Sequence, residues 1–118
     1  MATEISYKKE HSFEKRKEEA TKMREKYPDK IPIIVDLSPK WPFEGLDKKK
    51  YLVPHELTLG KFMSILRSRI KLPPGEALFL FINNTILPLG NALSNIYDTQ
   101  KDKDGFLYVV LSVHETFG

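Results

Sequence analysis

The chain has 118 residues, 41% hydrophobic and 30% charged, which suits one compact domain able to bury a core without staples. It has no cysteine, which excludes disulfides, thiolate nucleophiles and cysteine-based zinc sites and fits a reducing compartment. Its net charge of +3, from 19 basic and 16 acidic side chains, describes a surface of mixed sign, so nucleic acid is not an expected partner.

Taken in chain order, a short helix is expected around Glu4 to Glu10, and Ser12 can cap a second one beginning at Phe13. Phe13, Ala20, Met23 and Tyr27 fall within about 80° of one another on its wheel, one apolar stripe among charges. Pro28 in "YPDKIP" ends it. "KIPIIVDL" reads as a buried strand and residues 38–47 as a loop. "KKKYLVPHEL" is a second strand with Tyr51 and Val53 on one face and Lys48, Lys50 and Leu52 on the other, so the pair suggests a hairpin.

"LTLGKFMSILRSRIKL" predicts the strongest helix, capped by Thr58, with Leu59, Phe62, Met63, Leu66 and Ile70 on one arc and Gly60 as an interior weakness. "LPPGE" breaks the chain, "ALFLFI" is an apolar strand, and "NNT" turns it toward Ile86 and Leu87. A helical turn near Leu93 to Tyr97, the turn "KDKDG" and a last strand "FLYVVLSV" complete an α+β order. Without its N-terminal helices, that is the element order of a ubiquitin-like β-grasp.

Converging catalytic groups are missing: His11, His55 and His114 lie far apart, and neither a Gly-x-Ser-x-Gly elbow nor a phosphate-cradling loop occurs, so an enzyme is not expected. Asp102, Asp104 and Gly105 resemble the start of a calcium loop, but Leu111 stands where the closing glutamate belongs, so no metal or other cofactor is expected. Asn83-Asn84-Thr85 matches a glycosylation acceptor and is read as turn chemistry. No apolar stretch approaches the ~20 residues of a membrane-spanning helix, and "MATEISYKKEHS" lacks a signal core, so the polypeptide is expected to be soluble.

Two surfaces stay open to more than one reading. Ile65 projects outside the apolar arc of its helix beside Arg69, which is either a docking groove or a helix wrapped further by the sheet. Lys48, Lys49 and Lys50 either protect an edge strand from unwanted pairing or flank an edge that accepts an extended peptide. Trp41 and Phe43, in a proline-bounded loop, are either folded back as a lid, the reading preferred, or exposed to a partner.

"HSFEKRKEEATKMREKYPDKIPIIVD", "LDKKKYLVPHELTLGKF", "ALFLFINNT" and "DKDGFLYV", with the aromatic-glycine end "FG", together resemble the autophagy-related ubiquitin-like modifiers, the family of GABA-receptor-associated protein and microtubule-associated protein light chain 3. The resemblance runs from about His11 to Gly118 and implies a helical extension over residues 1–28 on a β-grasp domain over 29–118. It implies that Gly118, preceded by Phe117 for recognition by processing enzymes, is exposed by a protease or encoded as the last residue. Activating and conjugating enzymes then join it to phosphatidylethanolamine, and deconjugating enzymes release it. The protein would be cytoplasmic and monomeric, and lie on the autophagosome membrane when lipidated.

The resemblance also implies binding of short aromatic-x-x-aliphatic motifs of autophagy receptors and adaptors. Glu19, Met23, Pro32, Ile34, Lys50, Leu52 and Phe106 would line an aromatic pocket. Tyr51, Val53, Pro54, Leu57, Phe62, Ile65 and Leu66 would form an aliphatic one, and Lys30, Lys48 and Arg69 would meet ligand charges. Met23 and Lys30 depart from the isoleucine and arginine frequent there, exchanging a branched side chain for a flexible one and a bidentate fork for a point charge. A different class of function is a non-conjugated adaptor whose N-terminal helices bind tubulin or trafficking receptors; residues 1–30 carry nine basic and seven acidic side chains, only slightly positive.

Overall fold

The computed structural model describes residues 5–114. Two helices, α1 (Ser6–Glu10) and α2 (Phe13–Lys26), precede β1 (Lys30–Leu37) and β2 (Lys50–Pro54). Then come α3 (Leu59–Arg69), β3 (Phe79–Phe81), α4 (Leu93–Gln100) and β4 (Leu107–Ser112). The expected caps form, with Ser12 Oγ accepting the Lys15 N–H at 3.2 Å and Thr58 Oγ1 the Lys61 N–H at 3.2 Å.

The four strands make one mixed sheet in the order β2-β1-β4-β3, with β1 antiparallel to β2 and parallel to β4, and β3 antiparallel to β4. β1 and β4 are central, which is why both are buried along most of their length instead of alternating. One face carries the larger core, where Ile31, Ile33, Val35, Tyr51, Val53, Leu107 and Val109 meet Phe62 and Leu66 of α3 and Leu93 and Ile96 of α4. The other face carries a smaller cluster of Tyr7, Ala20, Ile34, Phe106 and Tyr108, roofed by α1 and α2.

Three local expectations change. Phe13 and Tyr27 are exposed at 42% and 38%, while Arg16, on the same stripe of α2, is buried. Both ends of the stripe are exposed, and the Asp104 carboxylate against Arg16 makes arginine the residue that fits there. Gly60 is a close approach and not a weakness: its N–H donates to the Leu89 carbonyl at 2.8 Å, and a Cβ there would lie 3.2 Å from that oxygen. The helix near Leu93 continues to Gln100, well past Tyr97. Asn83 and Asn84, both at positive φ (51° and 63°), make a tight turn closed by the paired Ile82 and Thr85.

Candidate functional site

β2 is an edge strand: among the described residues it pairs with β1 alone. Its register with β1 sorts the candidate residues. Ile34 faces Lys50 and Pro32 faces Leu52, on the face covered by α2; Ile33 faces Tyr51 and Ile31 faces Val53, on the face covered by α3. The aromatic-pocket residues implied by the resemblance therefore gather on one side of the edge and the aliphatic set on the other, except Pro54, which lies opposite Lys30 and by alternation falls on the α2 side.

On the α2 side, Ile34 and Phe106 are essentially fully buried and form a floor against which Met23 packs. Glu19 closes over this region by pairing with Lys50 across from α2 to β2, and it accepts the Tyr7 hydroxyl. Burial raises the Glu19 carboxyl, but the bonds from Lys50 and Tyr7 outweigh it and hold the group below its ordinary value. The Tyr7 phenol is pushed up by burial and by the same glutamate. Tyr7 also stacks on His11 at 4.2 Å and meets Phe106 edge-on at 5.7 Å.

On the α3 side, Tyr51 meets Phe62 edge-on at 5.7 Å, with Val53 and Leu66 buried beside them. Leu57 is half-buried, while Pro54 and Ile65 are exposed, Ile65 at 38%. Lys48 and Arg69 both stack over the Tyr51 ring, at 4.9 and 5.8 Å. Lys30 is half-buried at the far end of β1, with its carbonyl accepting from Arg24 at 2.7 Å. The Tyr51 hydroxyl is buried without a hydrogen-bond partner. Phe117 and Gly118 lie outside the described residues.

Sequence reasoning missed what anchors the helical roof. Arg16 reaches Asp104 Oδ2 at 2.6 Å, Tyr108 donates its hydroxyl to the same oxygen at 2.5 Å, and the Phe106 N–H donates to Asp104 Oδ1 at 2.8 Å. Arg16 Nε donates to the His11 carbonyl, and Lys8 of α1 pairs with Asp102 at 2.5 Å. Burial opposes the Arg16 charge, but Tyr108 and Asp104 raise its pKa despite this. Burial likewise raises Asp102, and Lys8 more than reverses it. The two aspartates that resemble the start of a calcium loop are thus counter-ions for Lys8 and Arg16.

Helices on both faces of this mixed sheet define an α+β domain of the ubiquitin-like class. A family model described as "Autophagy protein Atg8 ubiquitin like" matches residues 15–118, and the chain belongs to that family, whose members are ubiquitin-like modifiers of autophagy and not enzymes. It is 49% identical over 112 residues to autophagy-related protein 8e of Arabidopsis thaliana, covering 95% of this chain and 92% of the relative. It is 49% identical over 113 residues to autophagy-related protein 8 of Mycosarcoma maydis, covering 96% of each. The crystal structure of Trypanosoma brucei ATG8 superposes with a TM-score of 0.89 at 43% identity, over 98% of this chain and 100% of that one. Plasmodium falciparum Atg8, solved in complex with a P. falciparum Atg3 peptide, superposes with a TM-score of 0.85 at 33% identity, over 94% and 98%. Among the described residues no helix is long and apolar enough to cross a membrane.

Proposed function

We propose that this modifier is conjugated through Gly118 to phosphatidylethanolamine on autophagic membranes, where it recruits receptors and machinery by taking short aromatic-x-x-aliphatic peptides as an added strand on β2. The observation that carries the reading is the β2 edge with a different set of side chains on each face. In an extended peptide, successive side chains alternate, so residues three apart point to opposite faces, about 10 Å apart along the strand. An aromatic side chain directed to the α2 side therefore sends the aliphatic one to the α3 side, while Lys48 and Arg69 offer charge to acidic neighbours. The Atg3 peptide bound by the P. falciparum relative makes the equivalent conjugating enzyme an expected occupant here.

Conjugation supplies the membrane anchor, because the two acyl chains of one phospholipid hold where a single chain binds marginally. A glycine at the reactive position has no Cβ and can thread a narrow enzyme channel. Incubation with family activating and transfer enzymes, ATP and phosphatidylethanolamine liposomes should add the mass of one phospholipid to wild type and none to Gly118→Ala. Both forms should keep the same peptide affinity, and Ile65→Asp, on an exposed site of α3, should weaken the peptide about tenfold through the aliphatic position alone. No mass gain, with the same enzymes active on a relative, would leave the non-conjugated adaptor as the better account.

A further inference from the structure

The loop joining β1 to β2 carries the single tryptophan of the chain. Trp41 packs its ring on the larger core and donates its indole N–H to the Glu44 carbonyl at 3.0 Å. Its one polar atom is therefore satisfied inside the loop, and the rest of the ring asks only for apolar surroundings. Phe43 meets Trp41 edge-on at 5.9 Å and, unlike Trp41, is not among the residues packed on the larger core. Both rings stay half-buried, between exposed Pro39, Lys40 and Pro42.

The position of this pair follows from the sheet. β1 and β4 run parallel, Leu37 lies opposite Leu111, and the Ser38 N–H donates to the Leu111 carbonyl at 2.8 Å. Both strands thus finish at the same end of the sheet. The Trp41 N–H donates to the Ser38 carbonyl at 2.9 Å, which keeps the start of the aromatic loop at the end of the sheet where the chain leaves β4. From His114 four residues remain to Gly118, a reach of at most ~14 Å when fully extended.

We propose that Trp41 and Phe43 are a bilayer contact: once Gly118 carries its lipid, this loop rests in the interfacial layer of the membrane and gives the tethered domain a second point of attachment. The inference takes its lipid from the conjugation reading. Tryptophan and phenylalanine presented beside a membrane tether suit the layer between headgroups and acyl chains, where an aromatic body is apolar on one side and wet on the other. The neighbouring charges, Lys40 and Lys71 against Glu44, which lies 4.0 Å from Lys71, leave only a small positive excess, so the contact fits a zwitterionic surface and does not need anionic lipid. Two attachments would stand the sheet on its β1 and β4 ends and leave the β2 edge open to peptides.

The test needs no conjugating enzyme. Because the chain lacks cysteine, Gly118→Cys can be coupled to a maleimide-bearing phosphatidylethanolamine in phosphatidylcholine vesicles. With one tryptophan, emission reports on Trp41 alone. Tethering should shift the emission to the blue and allow quenching by lipids brominated high on their acyl chains, both unchanged in high salt. Phe43→Ser should cut the quenching severalfold while the urea midpoint falls only slightly, from the lost edge-on contact with Trp41. An unshifted, unquenched emission on the tethered protein would overturn the proposal and leave the pair as a lid on the core; quenching lost in high salt would overturn it in favour of an electrostatic contact. Protection of an unquenched Trp41 by an added conjugating enzyme would overturn it in favour of a protein partner. Failure of the enzymatic reaction above is read separately by mass and leaves these outcomes intact.

Discussion

Removing the Arg16 guanidinium tests how the helical roof is held. In Arg16→Met the hydrocarbon volume stays, but the Asp104 carboxylate, with no exposed side-chain surface, keeps only the Tyr108 hydroxyl and the Phe106 N–H. Breaking a buried pair from one side costs about 3–5 kcal/mol because the remaining charge is stranded. The two surviving bonds put this case near the lower end, at roughly 3 kcal/mol, which for a domain of this size lowers Tm by about 10–15 °C. Urea unfolding should show a lower midpoint with unchanged slope. Asp104→Asn keeps an acceptor for Phe106, and the double-mutant cycle with Arg16→Met should return a coupling energy in the upper part of the ~0.5–3 kcal/mol range seen for contacting pairs. A loss under about 1 kcal/mol for Arg16→Met, or additive singles, would refute the reasoning: the pair would then behave as an exposed one.

Two further outcomes follow from the same region. Gly105 sits at φ +97°, where a Cβ would also lie 3.1 Å from the Ala20 Cβ of α2, whereas Gly75 at φ +86° has nothing within 4 Å. Gly75→Ala should therefore cost about 1 kcal/mol of backbone strain, and Gly105→Ala clearly more by denaturant unfolding, since α2 must also give way. Equal losses would show that the Ala20 contact does not matter. Burial, chiefly, together with Asp104 pushes the Tyr108 phenol far up, and burial with Glu19 does the same to Tyr7. A raised folded value means the native state holds its proton after the unfolded chain has begun to lose it near pH ~10, so stability is full below that pH and falls as pH rises above it. Tyr108→Phe should flatten this alkaline slope in chemical unfolding; an unchanged slope would place the effect elsewhere.

The element order, both helix caps, the β1 boundaries and the pairing of β1 with β2 were legible from local chemistry. Hydroxyl caps, prolines and apolar periodicity act within a few residues, and they need no partner to be read. The split of Tyr51 and Val53 from Lys50 and Leu52 was legible for the same reason, since strand alternation is a property of the backbone.

The parallel neighbour of β1, contributed from the far end of the chain, was decided by tertiary structure, and with it the convergence of the aromatic loop and the departing C-terminal segment. So were the buried positions of Arg16 and Asp104, which become core residues only because they meet across 88 positions of sequence. Gly60 likewise looked like a weak point in a helix until Leu89 came to rest against it. Periodicity records which face a side chain takes along its own element; whether that face meets water, a counter-ion or a backbone carbonyl depends on what folds against it.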